Sequence, residues 1–252
     1  ALETGEAMQG VKTALEMPNV ELKGVHCHIG SQIFDTQPFC DAVKVMLVFF
    51  TDIHARTNVW INELNLGGGL GASYTDADTP LEIEEYLTPV AETLHNTCKE
   101  LSIPEPEFHI EPGRSIVGEA GTTLYTLGAI KDIKDVRTYI SVDGGMADNI
   151  RYALYRSEYT VLNASKNAGE SQNNITIAGK CCESGDLIQE NIELINPEVG
   201  DILAVLTTGA YNYSMASNYN RIAKPAMIMV NGTTHRLVIK RESFEDLIKN
   251  DI

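Results

Sequence analysis

Three short apolar runs in the first half of the chain each end in a polar or glycine-rich motif, and amphipathic stretches with helical spacing lie between them. In chain order these segments are a helix at residues 2–16, a strand at 20–29, a helix at 38–57, a strand at 60–66, a helix at 80–101 and a strand at 107–110. Alternating strands and helices predict parallel β/α units. Such units gather ligand sites at the carboxyl edge of the sheet, where the three motifs stand.

The second half of the chain has a different sequence pattern, with short apolar runs separated by turns. The predicted strands are residues 115–130, 137–142, 159–162, 175–178, 201–206 and 226–230. Asn231-Gly232 predicts a tight turn into a further strand at 235–239. We therefore predict a second, mainly antiparallel domain, with one domain over residues 1–118 and the other over residues 119–252.

Charge and cysteine usage narrow the classes of partner. A net charge of -16, from 19 basic and 35 acidic residues, argues against a nucleic-acid or anionic-membrane surface. Five cysteines without framework spacing fit a reducing cytoplasm, and no apolar run reaches the ~18 residues of a membrane span. The first residues lack the features of a signal peptide. His26, Cys27 and His28 alternate too tightly to share one zinc ion, so we predict no metal site.

The glycine-rich motif follows the second apolar run. Gly67, Gly68 and Gly69 have no Cβ, so their backbone N–H groups can approach phosphate oxygens; the alternative is a plain tight turn. Ser31 can add a donor nearby. His28 ends the first run, where its imidazole can stack on an aromatic cofactor or be a structural histidine.

The third motif, Glu111-Pro112-Gly113-Arg114, holds an acid and a guanidinium on one short turn. Glu111 can keep a pyridine nitrogen protonated through a charge-assisted hydrogen bond, which makes the ring an electron sink. Arg114 has the planar fork that suits a carboxylate. The alternative is a plain salt bridge between Glu111 and Arg114.

Further candidates stand in the second half. Arg151 can bind a carboxylate, although Asp148 one turn earlier fits a surface arginine as well. Tyr155 and Tyr211 can each direct a hydroxyl at a carboxylate or phosphate, or serve only in packing.

A cysteine-containing turn adds a proton donor. The Cys182 thiol can act as an acid, and the Glu183 carboxylate can bind a substrate ammonium. The alternative is a buried, inert cysteine, which we favour for Cys181 and not for Cys182.

Taken in order, six motifs resemble those of the fold-type III pyridoxal-phosphate decarboxylases. They are His28-Ile29-Gly30-Ser31-Gln32, Gly67-Gly68-Gly69-Leu70-Gly71, Glu111-Pro112-Gly113-Arg114, Asp143-Gly144-Gly145-Met146, Cys182-Glu183-Ser184-Gly185-Asp186 and Gly209-Ala210-Tyr211. The resemblance spans nearly all of the chain. It implies an α/β plus all-β fold: the last strands and helices of a (β/α)8 alanine-racemase-like barrel, then a mainly antiparallel β-domain.

The same resemblance implies a role for each candidate residue. Pyridoxal 5'-phosphate would be held by His28 on the ring, by Ser31, Gly67, Gly68, Gly69, Glu111, Gly113 and Arg114 at the phosphate and ring nitrogen, and by Tyr211. The substrate would be bound by Arg114, Arg151, Tyr155, Glu183 and Tyr211. His28 and Cys182 would be catalytic, with Cys182 and Glu183 reaching into the neighbouring subunit's site. The expected assembly is a homodimer with shared active sites.

The motifs at Cys182 and Tyr211, with Met215-Ala216-Ser217-Asn218-Tyr219-Asn220, resemble the branch of this family that decarboxylates meso-2,6-diaminopimelate to L-lysine and CO2, the last step of lysine biosynthesis. Ornithine-type relatives tend to carry an Asp where Glu183 stands. The alternatives are a decarboxylase for another basic amino acid, of the arginine, ornithine or carboxynorspermidine type, and a non-catalytic regulatory homologue.

One part of the family pattern is missing. Family members carry the Schiff-base lysine on the first barrel strand, well before the His-Ile-Gly-Ser-Gln segment. The lysines that we compared with that context, Lys12, Lys23, Lys44, Lys99 and Lys180, do not match it. We therefore expect the chain to be the C-terminal portion of such an enzyme, with little or no catalysis by itself.

Overall fold

The computed structural model covers residues 1–252 and divides into two units by its internal contacts. The first unit comprises Ala1–Ala72 and Thr79–Ile116, and the second comprises Ser73–Asp78 and Val117–Ile252. None of the helices has both the length and the apolar character needed to cross a membrane.

The first unit contains a three-stranded parallel sheet with the order β1-β2-β3. Its strands are β1 (Gly24–His26), β2 (Glu63–Asn65) and β3 (Glu107–His109), and its long helices are α1 (Glu6–Glu16), α2 (Gln37–Thr57) and α3 (Ile83–Leu101). The predicted order of strands and helices is confirmed. The strands are shorter than predicted: β1 starts four residues and β2 three residues later, and each strand ends one to three residues earlier.

Helices α2 and α3 bury their apolar stripes in one core with Leu64 of the central strand. Val43, Leu47 and Ile53 of α2 are fully buried, and each such side chain stabilises the fold by about 1.5–3 kcal/mol. The predicted start of α3 at Pro80 is wrong. The helix begins at Ile83 because Glu82 and Glu85 form a capping box there.

The second unit contains a six-stranded sheet with the order β6-β9-β4-β5-β7-β8. In chain order the strands are β4 (Thr123–Ile133), β5 (Arg137–Val142), β6 (Val161–Asn163), β7 (Ser171–Ala178), β8 (Leu187–Ile195) and β9 (Ile202–Val205). Every neighbouring pair is antiparallel except β5 with β7. The prediction of a mainly antiparallel second half is confirmed.

Beyond this sheet, β10 (Met227–Asn231) and β11 (Thr234–Ile239) form an antiparallel hairpin. Its two-residue connection is Gly232-Thr233, one residue later than the predicted turn. Four short α-helices and one 3-10 helix complete the structure: α4 (Arg114–Val117), α5 (Arg151–Tyr155), α6 (Asn212–Met215), the 3-10 helix (Tyr219–Arg221) and α7 (Phe244–Ile248).

Two predictions for the strands are wrong. The strand predicted at 115–130 starts only at Thr123, because α4 and a tight turn come first. Gly121 has no side chain there because a Cβ would lie 2.3 Å from the backbone of Gly209. Strand β8 was not predicted at all, since polar Gln189 and Glu190 interrupt its apolar pattern although Gln189 is buried.

Candidate active site

The first unit gathers polar groups at the carboxyl edge of its sheet. His28 follows β1, the glycine motif follows β2 and Glu111 follows β3, so the three predicted motifs lie side by side. Asn65, the last residue of β2, joins two of them. Its side-chain nitrogen donates to Glu111 Oε1 over 2.8 Å, and its side-chain oxygen accepts the Gly67 N–H over 2.8 Å.

Glu111 presents an acid at this edge in a fixed position. Its backbone N–H donates to the Gly67 carbonyl over 2.8 Å, and its Oε2 lies 3.6 Å from His26 Nε2. More than half of the Glu111 side chain is exposed, so the carboxylate can meet a ligand. Asn65 and His26 were not predicted as site residues; the available signal was a polar residue at the end of an apolar strand.

The glycine motif packs backbone to backbone against both neighbouring loops. A Cβ on Gly68 would lie 2.4 Å from the Glu111 carbonyl oxygen, and one on Gly69 would lie 2.4 Å from the Gly30 carbonyl oxygen. Gly67 has a φ of +69°, and a Cβ there would lie 2.9 Å from His28 Nδ1. The loop therefore admits no side chain at these three positions, which leaves a backbone-lined cradle of the kind that binds phosphate.

Arg114 lies beside Ser31 in the same unit. Its guanidinium donates to the Ser31 hydroxyl over 2.9 Å, and the side chain is buried. Gly113 differs from Gly67, Gly68 and Gly69 because a Cβ there would meet no atom within 4 Å. Packing alone thus does not require a glycine at position 113.

The second unit holds a buried arginine between two aromatic rings. The Arg151 guanidinium carbon lies 5.4 Å from the centre of the Tyr155 ring and 5.3 Å from that of Tyr211. Arg151 is 8% exposed, its Nε makes no hydrogen bond, and no acid lies within ion-pair distance. The surface-arginine alternative is wrong. Asp148 instead accepts hydrogen bonds from the Tyr125 hydroxyl and the Gly145 N–H.

Glu190 fixes the short helix that carries Arg151. Its carboxylate accepts from Arg137 over 2.7 Å, from the Tyr152 hydroxyl over 2.7 Å and from Arg156 over 3.3 Å. The bonds from Tyr152 and Arg137 lower the pKa of Glu190. Since Tyr152 belongs to α5, these bonds tie α5 to β5 and β8. Glu190 lies in the strand that the sequence pattern did not reveal.

The two adjacent cysteines differ in environment. Cys182 is exposed, whereas Cys181 is partly buried. Burial, followed by the Asp186 carboxylate, raises the pKa of the Cys181 thiol to about 11, so this thiol stays protonated near neutral pH. Glu183 Oε2 lies 3.5 Å from the Tyr219 hydroxyl. The prediction of an inert Cys181 beside an accessible Cys182 agrees with the difference in their exposure.

Tyr211 has a strained backbone. Its φ is +70°, a region in which a residue with a side chain costs about 1 kcal/mol or more. It directly precedes α6, and its carbonyl accepts from the Met215 N–H and the Ser214 hydroxyl. These bonds keep the tyrosine in its unusual conformation, with the ring beside Arg151.

The remaining candidate groups are simpler. The lysines compared above, Lys12, Lys23, Lys44, Lys99 and Lys180, are all exposed and lie outside the three parallel strands. Glu63, Glu107 and His109 bring possible metal-ligand atoms within 4.8 Å of one another. The ion-pair distance of 3.6 Å between His109 and Glu107 accounts for that cluster, and we assign no metal to it.

Comparison with known proteins places these groups in context. Residues 2–118 match the family described as "Pyridoxal-dependent decarboxylase, pyridoxal binding domain". All of the chain aligns with the diaminopimelate decarboxylase of Bacillus subtilis (strain 168) at 46% identity and with that of Staphylococcus aureus (strain COL) at 44% identity. The chain spans 57% and 59% of the length of these two relatives.

A solved structure is similar over the same extent. The crystal structure of the diaminopimelate decarboxylase from M. jannaschii in complex with L-lysine matches 99% of this chain and 56% of that chain. The TM-score is 0.91 and the sequence identity is 36%.

Proposed function

We propose that the chain belongs to the pyridoxal-dependent decarboxylase family and that it acts in the decarboxylation of meso-2,6-diaminopimelate to L-lysine and CO2, with pyridoxal 5'-phosphate as the cofactor. The main support for the proposal is the pair of hydrogen bonds from Asn65 to Glu111 and to Gly67. These bonds hold an acid beside the backbone cradle. A phosphorylated pyridine needs these two features together.

The domain division belongs to this proposal. We assign residues 1–118 to the last part of a (β/α)8 cofactor-binding barrel, and residues 119–252 to a β-domain. The family match to residues 2–118 and the parallel β1-β2-β3 sheet support the first assignment. The mainly antiparallel six-stranded sheet supports the second.

The cofactor site is assigned to the first unit. Pyridoxal phosphate, when bound, supplies an electron sink for the carbanion that remains after CO2 leaves. Glu111 keeps the ring nitrogen protonated by accepting its N–H as a charge-assisted hydrogen bond. The cradle at Gly67–Gly69 with Ser31 would hold the phosphate, and His28, which is beside Gly67, would stack on the ring. Gly113 and Arg114 complete this side, and the role of Tyr211 in cofactor binding stays a prediction.

Substrate recognition follows from the buried arginine. Arg151 lacks an acidic partner inside the chain, and a buried guanidinium without an acid calls for an anion from outside. A substrate carboxylate supplies that anion and makes bidentate bonds to the planar fork. Tyr155 and Tyr211, whose rings lie beside Arg151, add polar groups for the same molecule, and the exposed Glu183 attracts an ammonium group. The substrate contact of Arg114 stays a prediction.

Proton return is assigned to Cys182. Its thiol is exposed, whereas the thiol of Cys181 is shielded, so Cys182 can deliver a proton to the carbon that has lost CO2. His28 is the second catalytic residue through its contact with the ring. Because Cys182 and Glu183 lie on an exposed loop, we assign them to the active site of a second copy, which makes the enzyme a homodimer with shared sites.

Titration with pyridoxal phosphate tests the cofactor site on the 252-residue chain itself. Gly68→Ala inserts a methyl group 2.4 Å from the Glu111 carbonyl and forces the cradle open. We expect it to weaken binding at least ~10-fold, the loss of about 1.4 kcal/mol. Gly10→Ala, in open space on α1, is the control and should bind like the original chain. Equal affinity for both variants would contradict the proposed site.

A further inference from the structure

The Asp143-Gly144-Gly145-Met146 motif has no role in the site described above, yet a buried carboxylate connects it to the cysteine loop. Asp186 is 3% exposed. Its Oδ1 accepts the Met146 N–H over 2.5 Å, and its Oδ2 accepts the Cys181 N–H over 2.6 Å. One side chain therefore holds two loops that are about 40 residues apart in the chain, and it does so through charge-assisted bonds.

Two glycines make room for this carboxylate. A Cβ on Gly179 would lie 2.2 Å from Asp186 Oδ2, and a Cβ on Gly145 would lie 2.5 Å from Oδ1. Gly145 also has a φ of +153°, a conformation that side chains rarely adopt. The glycines of both loops are thus explained by the position of Asp186.

Backbone bonds close the same junction. The Gly179 N–H donates to the Asp186 carbonyl over 2.8 Å, and the Asp186 N–H donates to the Glu183 carbonyl over 3.1 Å. The Lys180 N–H donates to the Gly144 carbonyl over 3.0 Å. Cys182 and Glu183 are at the exposed tip of this loop, and its base is anchored on both sides.

We propose that Asp186 is a positioning residue that fixes the loop bearing Cys182 and Glu183 against the 143–148 turn. It thereby sets the positions of the proton donor, Cys182, and of the ammonium-binding acid, Glu183. This inference rests on the proposed function for the roles of Cys182 and Glu183. The contacts of Asp186 themselves do not depend on those roles. Asp186 contacts the backbone of the two loops rather than cofactor or substrate, and it acts through the backbone of the cysteine loop.

Thiol labelling tests the geometry without any activity. In the cofactor-free chain at pH 8, iodoacetamide should label Cys182 at least ~10-fold faster than Cys181, because only an accessible thiolate reacts. Fragment-ion spectra distinguish the two adjacent residues. Asp186→Asn replaces an acceptor with an amide N–H that faces a backbone donor, and it removes the charge that helps keep Cys181 protonated. We expect the Cys182-to-Cys181 labelling ratio to fall at least ~10-fold.

Matched variants separate positioning from plain destabilisation. Gly179→Ala should reproduce the effect of Asp186→Asn, whereas Gly185→Ala in the same loop meets no atom within 4 Å and should label like the original chain. Asp201→Asn is the second control. Asp201 is also buried and accepts the Glu198 N–H over 2.9 Å, but it closes a different turn.

Kinetics supply the second readout, on the protein expressed from its natural reading frame. Asp186→Asn and Gly179→Ala should lower kcat for meso-diaminopimelate at least ~10-fold relative to Asp201→Asn and Gly185→Ala, with unchanged affinity for pyridoxal phosphate. Should Asp186→Asn fail to fold, the two glycine variants decide the question. An unchanged labelling ratio and kcat in Gly179→Ala would overturn the inference. An unmodified protein that binds no pyridoxal phosphate would instead overturn the proposed function, and labelling would still test Asp186.

Discussion

Replacing Glu190 by Gln should loosen the helix that presents Arg151. The substitution removes the charge that accepts from Arg137 and Tyr152, at 2.7 Å each, and leaves one neutral acceptor. Hydrogen bonds to a charged group contribute about 1.5–3 kcal/mol each. The Arg156 side chain is 70% exposed, so its bond adds little. We expect the free energy of unfolding of the second unit to fall by about 2–4 kcal/mol.

The loss should depend on pH in a defined direction. The pKa of Glu190 is lower in the folded protein than its ordinary value of 4.5, because Tyr152 and then Arg137 stabilise the carboxylate. The folded state therefore binds fewer protons than the unfolded state between the two pKa values. The stabilisation by Glu190 is complete above pH 4.5 and disappears as the pH falls through the lowered pKa. The gap between original and variant should thus be full at pH 7 and shrink below pH 4.5.

The assay must report on the second unit. The single tryptophan, Trp60, lies in the first unit, so its fluorescence does not serve. Hydrogen exchange followed by mass spectrometry resolves peptides over residues 151–156 and gives their opening free energies. Glu193→Gln is the matched control, an exposed acid on the same strand, and should change stability by no more than about 0.5 kcal/mol. If Glu190→Gln behaves like Glu193→Gln at pH 7, the reasoning about α5 is refuted.

Three further predictions concern the site. Asn65→Ala should weaken pyridoxal phosphate binding at least ~10-fold in a fluorescence titration, because Glu111 and the Gly67 N–H both lose their partner; binding equal to that of the original chain would count against this role of Asn65. Arg151→Lys should raise KM for meso-diaminopimelate about 10-fold or more, since a lysine cannot make the bidentate bond; an unchanged KM would remove Arg151 from the substrate site. Light scattering of the protein from its natural reading frame should give a dimer, and two inactive variants, Cys182→Ala and Arg151→Met, should regain part of the activity when mixed. No recovery in a confirmed mixed dimer would contradict shared sites.

Local patterns in the sequence sufficed for the parallel β/α order and for the edge at which the motifs meet. Each apolar run stops where a motif starts, and parallel strands bring their carboxyl ends together. Helical spacing likewise revealed α2 and α3, although the start of α3 was set by the capping pair Glu82 and Glu85 rather than by Pro80.

The missed residues depend on partners far away in the chain. Asn65 bonds to Glu111, 46 residues later, and Glu190 bonds to Arg137, 53 residues earlier. Asp186 stands in a motif that was singled out for Cys182 and Glu183, but its own role depends on Met146. No local period records such pairings. They follow from the order of the strands in each sheet and from the loops that this order brings together, which only the folded chain supplies.

Release of CO2 from competing substrates tests whether the protein decarboxylates meso-diaminopimelate. The protein expressed from its natural reading frame would be loaded with pyridoxal phosphate and given carboxyl-labelled meso-diaminopimelate, L-ornithine or L-arginine. We predict a kcat/KM for meso-diaminopimelate at least ~100-fold above the other two, because only meso-diaminopimelate has a second carboxylate beside its two ammonium groups, as ligands for Arg151 and Glu183. Equal or better turnover of ornithine or arginine would contradict the substrate assignment. No CO2 from any of the three by cofactor-loaded protein would contradict the enzymatic function itself.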